Sequence, residues 1–287
     1  MGKEQKNKQR KAKKKAPIVR DRHLLYSASV QSVDADIDFF QRVYKRKRGR
    51  SFKMLREDFC GTAVLACRWV QRHKDHRAIG VDLDKPTLDW GRERYVPVLG
   101  KAEKQLKLIE GNVLDPAHPK ADVIAALNFS YNIFKTREQL LEYFKAARAG
   151  MKRGGIFFLD AFGGTGANEP DEEDRKIDAC VAFDGTKVPK FTYVWEQAAF
   201  NPVNHDILCH IHFELRDGTR LEKAFSYDWR LWTLPEVQEL LLEAGFKGAE
   251  VYVEGWDDEE DDTDGVFRRR KKFENQAGWV AYVVGLA

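Results

Sequence analysis

Apolar and polar positions alternate in blocks along the chain, and the period of each block names its element. From Asp34 to Tyr44, Ile37, Phe39, Phe40, Val43 and Tyr44 recur at helical spacing, with Ser32 or Asp34 placed to cap them. Arg50 to Glu57 reads as a short strand. The turn Asp58-Phe59-Cys60-Gly61-Thr62 leads from it into a helix over Ala63–Arg72. The alternation then repeats: strand Ala78–Asp82, helix Lys85–Tyr95 with Pro86 in its first turn, and strand Leu106–Glu110. Asp122–Leu127 is almost wholly apolar, as a strand covered on both faces should be. Thr136–Ala149 is an amphipathic helix, and Gly155–Asp160 is a fifth strand. Strands alternating with helices predict an α/β fold with a doubly wound, mostly parallel sheet.

The pattern breaks at Gly163. The Gly-rich and acidic stretch through Asp174 reads as a mobile loop. Three runs of period two follow, at Phe191–Phe200, Asp206–Leu215 and Thr219–Trp229, with a hairpin signal at Arg216-Asp217-Gly218-Thr219. They predict an antiparallel insert after the fifth strand. Thr233-Leu234-Pro235-Glu236 resembles a capping box before a helix over Leu234–Ala244. Strands near Ala249–Glu254 and Trp279–Gly285 bring the sheet to seven. Between them, six acids (Asp257–Asp262) and five bases (Arg268–Lys272) read as a solvated hairpin loop. The expected division is a disordered tail (1–17), a sheet domain (18–162 and 230–287) and the insert (163–229).

Charge sharpens the picture. The net charge is +4, yet residues 1–15 hold eight Lys/Arg and one acid, so that tail is +7 and the remaining chain −3. A body of this balance argues against a surface built throughout to grip nucleic acid. Weak RNA contact is an expectation for residues 3–15 alone. No stretch approaches the roughly 18 uninterrupted apolar residues of a membrane helix, and the basic start is followed by no apolar run, so no membrane partner or secretory signal is expected. Cys60, Cys67, Cys180 and Cys209 lack paired spacing, which suits a reducing, cytoplasmic setting better than a disulfide or zinc framework.

The most informative stretch is Met54 to Ala63. A strand running through a tight turn into a helix exposes backbone N–H groups at the carboxyl edge of the sheet, where ligands of open α/β sheets sit. Asp82, ending the second strand 25 residues after Glu57, is placed to accept both hydroxyls of a ribose. These residues resemble the class I S-adenosylmethionine-dependent methyltransferases, of the small-molecule type with an antiparallel insert. The first strand there ends in an acid and a glycine-rich turn, matched here by Glu57, Cys60, Gly61 and Thr62. Phe59 and Ala63 replace two of its glycines, which implies altered turn geometry or altered cofactor contacts. Asp82 with Leu83 matches the ribose-binding acid, Asn112 with Val113 the adenine site, and Asn128 the lining of the methyl-donor pocket. The resemblance covers roughly residues 50–160 and 230–287.

Asn128-Phe129-Ser130-Tyr131 keeps the polar residue and the aromatic of a motif found in methyltransferases of base amines, but lacks both its prolines. Asn128 and Tyr131 are therefore candidate catalytic residues, with packing of Tyr131 on the next helix as the plainer alternative. His210, His212 and Glu214 share one face of a strand. They place no third histidine, so no metal is expected. His212 or His210 could instead accept a substrate proton. Tyr26, near the start, is a candidate lid residue over the cofactor, with His23 beside it. Trp195, Trp229 and Trp232 are candidates for a substrate wall or simply for core. The resulting expectation is methyl transfer from S-adenosylmethionine to a nitrogen or oxygen of a small-molecule acceptor. The alternatives are an RNA or protein methyltransferase recruited by the tail, and a non-catalytic cofactor-binding protein.

Overall fold

The computed structural model describes residues 18–257 and 262–287. The basic tail and most of the acidic run lie outside the described residues. In chain order the elements begin with α1 (Arg22–Val30), α2 (Val33–Arg48), β1 (Met54–Asp58), α3 (Val64–Arg72), β2 (Arg77–Asp82), α4 (Lys85–Arg94) and β3 (Leu106–Glu110). Then come β4 (Ala121–Ala126), α5 (Arg137–Ala149), β5 (Met151–Gly163), β6 (Asp171–Ile177), β7 (Cys180–Val181), β8 (Lys187–Val188) and β9 (Phe191–Asn201). The chain closes with β10 (Asp206–Leu215), β11 (Arg220–Arg230), α6 (Leu234–Glu243), β12 (Gly248–Asp257), β13 (Asp262–Arg270) and β14 (Trp279–Leu286).

The main sheet runs β13-β12-β14-β5-β4-β1-β2-β3, with β1 to β5 parallel and β14 antiparallel to β5. It has one strand more than the pattern predicts. Asp262–Arg270 pairs with β12 as an edge strand, where the charge run suggested only a loop. Charged side chains are what an exposed edge tolerates. The same holds for β6: the acidic segment read as a mobile loop pairs with β9. Helix α1 has no counterpart in the pattern reading. Asp21 caps it, its carboxylate accepting the N–H groups of His23 and Leu24.

Helices cover both faces of the sheet, which is why Ile156, Phe157, Phe158 and Leu159 are all buried in succession. Ile156 and Phe158 pack with α2 and α3 through Phe39, Phe40 and Trp69. Phe157 and Leu159 pack with α5 and α6 through Tyr143, Phe144, Val237 and Leu241. Capping boxes at Thr136/Gln139 and Thr233/Glu236 start α5 and α6. A second sheet, β11-β10-β9-β6, stands over the carboxyl edge of the first. Its apolar face meets Phe129 and Phe162 through Trp195 and Trp229, and α1 through Phe225. Among the described residues no helix is long and apolar enough to cross a membrane.

Candidate functional site

β1 lies between β2 and β4, so chain order reverses on either side of it. The crevice at such a reversal is where open α/β sheets bind ligands. Three connections are stitched together there by hydrogen bonds. Cys60 donates its backbone N–H to Val81 O at 3.0 Å, Gly61 donates to the Asp82 carboxylate at 2.7 Å, and Gly111 donates to Asp82 O at 2.9 Å. The other Asp82 oxygen accepts the Asp84 N–H at 2.8 Å. Leu83 stands 67% exposed beside this carboxylate, an apolar face among polar neighbours.

Phe59 and Ala63 both hold left-handed backbone, φ 56° and 59°, as Gly61 does at 53°. The chain thus keeps a conformation that glycine adopts freely, at a cost of about 1–2 kcal/mol for each side chain. The Phe59 ring packs against Phe134 and Tyr143, 6.1 and 5.3 Å between centroids. Gly80 and Gly91 make room for the turn: a Cβ on Gly80 would lie 2.9 Å from Cys60 Sγ, and one on Gly91 2.3 Å from Thr62 O. The Cys60 thiol is therefore core, and burial pushes it well above its usual range. The Cys60 and Gly61 N–H groups are engaged within the site, on Val81 O and the Asp82 carboxylate.

Adjacent acids on β1 project to opposite faces. Asp58 takes a buried bidentate contact from Arg56 at 2.7 and 2.9 Å and a hydrogen bond from Tyr143. Glu57 caps α3, accepting the Ala66 N–H at 2.9 Å. Burial pushes the Glu57 carboxyl up to about 8, against the Ala66 hydrogen bond and reinforced by Asp82, Asp36 and Asp58. Asp36, which accepts from Tyr282, is raised to about 6 by burial. Asp160 is raised to about 7, again by loss of water. Among the described residues no lysine or arginine forms an ion pair with Asp36, Glu57, Asp82 or Asp160. This edge of the sheet is thus rich in acids without internal counter-charge.

Asp160 is the site residue that the pattern reading missed. It follows the apolar run of β5, and nothing in its sequence separates it from a surface acid. Its two oxygens accept the N–H groups of Asn128 at 2.7 Å and Phe129 at 2.8 Å. Both residues have left-handed backbone, φ 56° and 58°. Such a pair of strained residues persists only where surroundings hold it, and here Asp160 does.

The other candidates fall as follows. Tyr26 lies on α1 against Phe225, its side chain hydrogen-bonded to Tyr227. His23 sits between Trp90 and Phe225, where burial lowers its pKa. The Asn112 side chain accepts the Leu114 N–H at 3.0 Å, shaping the turn after β3, and Val113 is buried. Tyr131 is a correction: it is 1% exposed and packs toward Phe144, so no acceptor can stack on it. His212 is a second. Ile207, Cys209, Ile211 and Phe213 turn toward the cleft side of the insert, so the alternating His210 and His212 point to its outer face. There His212 meets Glu196 at 2.8 Å and Glu222 at 2.6 Å. Ligand atoms of Glu172, Glu196 and His212 come within 4.8 Å of one another, but Arg220 already pairs with Glu172, Glu214 and Glu222. Trp232 is core, donating to Phe134 O, whereas Trp195 and Trp229 do line the inner face of the insert.

Solved structures that align with this chain include methyltransferases. An S-adenosylmethionine-dependent methyltransferase from Clostridium acetobutylicum aligns with 92% of this chain and 96% of its own, TM-score 0.63, at 17% identity. An amino pentose methyltransferase from Micromonospora echinaspora, involved in calicheamicin biosynthesis and solved with S-adenosylmethionine bound, aligns with 95% of this chain and 98% of its own, TM-score 0.64, at 13% identity. The fold is that of the class I S-adenosylmethionine-dependent methyltransferases. A sugar N-methyltransferase from Streptoalloteichus sp. shares this methyltransferase fold over 95% of this chain and 94% of its own, TM-score 0.61, at 15% identity. No family model and no curated protein matches the chain by sequence. In a methyltransferase fold the reversal beside β1 is the place for a nucleoside-bearing ligand.

Proposed function

We propose that the chain is a methyltransferase that uses S-adenosylmethionine to methylate a nitrogen or oxygen of a small-molecule acceptor. The carrying observation is the Gly61–Asp82 stitch at the sheet reversal, set among acids that lack internal counter-charge. Those acids fit a ligand that carries positive charge at its sulfonium and its ammonium. Asp82 would hold the ribose and Leu83 the adenine face, with Asn112 and Val113 at the adenine edge. Glu57, the backbone of Cys60, Gly61 and Thr62, and Tyr26 would border the methionine end. When bound, the cofactor supplies an electrophilic methyl group on sulfur.

The chain's own residues supply alignment and a dry pocket. In this reading residues 18–162 and 230–287 bind the cofactor, and 163–229 close the acceptor pocket. The aromatic inner face of the insert excludes water, which favours a step that loses charge. Asn128 and Phe129, fixed by Asp160, fix one wall of the pocket, and such positioning carries much of the rate of an in-line displacement. Asp160 acts there as a positioning residue, each of its oxygens accepting a backbone N–H group of that wall. Asn128 remains a candidate catalytic residue; Tyr131 and His212 do not.

The test is to incubate the pure full chain with methyl-labelled S-adenosylmethionine and a panel of amino sugars, simple amines and phenols. Label transfer to one class with stoichiometric S-adenosylhomocysteine supports the reading. Turnover of none of them by a protein that binds the cofactor favours a non-catalytic binding protein.

A further inference from the structure

The net charge of the folded body conceals a second polarity. The acids described above crowd the carboxyl edge of the sheet. The amino edge carries the opposite sign, and the structure assembles it from segments far apart in sequence. Residues 45–50 supply five cations at the end of α2, residues 152–153 two at the start of β5, and residues 269–272 four at the end of β13. Glu250 joins the first and third segments: Lys47 pairs with it at 2.7 Å and Arg269 at 3.3 Å. Asp122 joins the first and second: Arg50 lies 3.8 Å and Lys152 3.3 Å from it. Arg48 donates to Gly154 O at 2.7 Å, closing the gap. The three segments therefore form one continuous belt in which two acids are each shared by two cations. Lys45, Arg46, Arg153, Arg270, Lys271 and Lys272 are exposed, and the structure gives them no ion pair among the described residues.

We propose that this belt docks the phosphate backbone of nucleic acid. Arginine forks match phosphate oxygens in pairs, and cations held this close release many counter-ions when a polyanion binds. An anionic bilayer is the weaker match, because these three segments carry no large apolar side chain to insert at an interface. The belt lies at the amino ends of β4 and β5, and Asp160 follows Leu159 near the other end; the partners of Met151 and Leu159 on β4, Ala121 and Ala126, are five residues apart, roughly 17 Å by strand rise. A bound strand is thus remote from the acceptor pocket. The belt tethers the protein to nucleic acid without presenting a base for methylation. This inference rests on charge geometry alone and stands or falls apart from the methyltransferase reading.

The experiment measures fluorescence anisotropy of a labelled single-stranded RNA of about 20 nucleotides with the full chain at several salt concentrations. A variant carrying Arg46→Gln, Arg153→Gln, Arg270→Gln and Lys271→Gln is compared with one carrying Lys8→Gln, Lys11→Gln, Lys13→Gln and Lys14→Gln in the tail. The belt variant is expected to bind at least tenfold more weakly, and the slope of log affinity against log salt to fall by about 3. The tail variant is expected to lose less. A third variant with Arg46→Lys, Arg153→Lys and Arg270→Lys should bind within threefold of wild type, which a folding defect would not allow. The thermal midpoint of each variant is read in the same buffer. Wild-type affinity in the belt variant, no RNA binding by wild type, or binding of phosphatidylserine vesicles in preference to RNA would each overturn the proposal.

Discussion

The Gly61 amide donates to the Asp82 carboxylate at 2.7 Å, tying the turn after β1 to the end of β2. The other Asp82 oxygen accepts from Asp84, so the carboxylate is oriented by both loops before any ligand arrives. Asparagine keeps the shape but offers one acceptor oxygen where two are in use. Asp82→Asn should lower stability by about 1–2 kcal/mol in urea unfolding and weaken S-adenosylmethionine binding at least tenfold. Unchanged stability and binding together would show that the stitch matters to neither.

Ala63 and Phe59 share one backbone strain but differ in what their side chains do. Ala63→Gly relieves left-handed strain while losing a buried methyl group and gaining freedom in the unfolded chain. These effects nearly cancel, and stability should stay within about 1 kcal/mol of wild type. Phe59→Gly also removes a ring packed on Phe134 and Tyr143, and should cost about 2 kcal/mol or more despite the same relief. Chemical denaturation of the two variants distinguishes them.

Gly91 lets α4 approach the turn. Its substitution by alanine would place Cβ 2.3 Å from Thr62 O, a backbone atom that cannot rotate away. Gly91→Ala should destabilise by about 1–3 kcal/mol, against the usual preference of helices for alanine. Cofactor affinity should fall with it, since the displaced atoms belong to the turn. A stabilised variant in urea unfolding would contradict this packing.

The raised acids set a pH dependence. In the unfolded chain Asp36, Glu57 and Asp160 titrate near 4, whereas in the fold they reach about 6, 8 and 7. Between these limits the folded state holds more protons, so its stability falls as pH rises through that window. The thermal midpoint of the free protein should decline from about pH 5 to pH 8. A cationic ligand favours the ionised acids, so the stabilisation given by S-adenosylmethionine should grow over the same range. A midpoint that rises toward pH 8 without ligand would contradict the assignment.

Much of the fold was legible because it rests on pattern. The apolar runs of β4 and β5 and the alternation in β9 to β11 state which faces are covered. β6 and β13 were not legible, since their charged sequences reflect solvent exposure at an edge and carry no pleat signal. α1 owes its place to Leu24 and Leu25 packing on the insert, a contact between segments remote in sequence. At the site, Asp82 and the turn could be read from spacing. Asp160 could not, because its role comes from two amides 31 and 32 residues upstream. Strand parity put His210 and His212 on one face, but only the second sheet's placement over Phe129 and Phe162 decides that this face looks outward. The charge belt was hidden in the same way: each basic run was visible, and their meeting at Glu250 and Asp122 was not.

The central claim is that the edge built by Gly61, Asp82 and the unpaired acids binds S-adenosylmethionine. Isothermal titration of the pure full chain with S-adenosylmethionine tests it most directly. The account predicts one site per chain, and loss of most of that heat in a folded Asp82→Ala variant. No binding by the wild type, or equal binding by the variant, would contradict it.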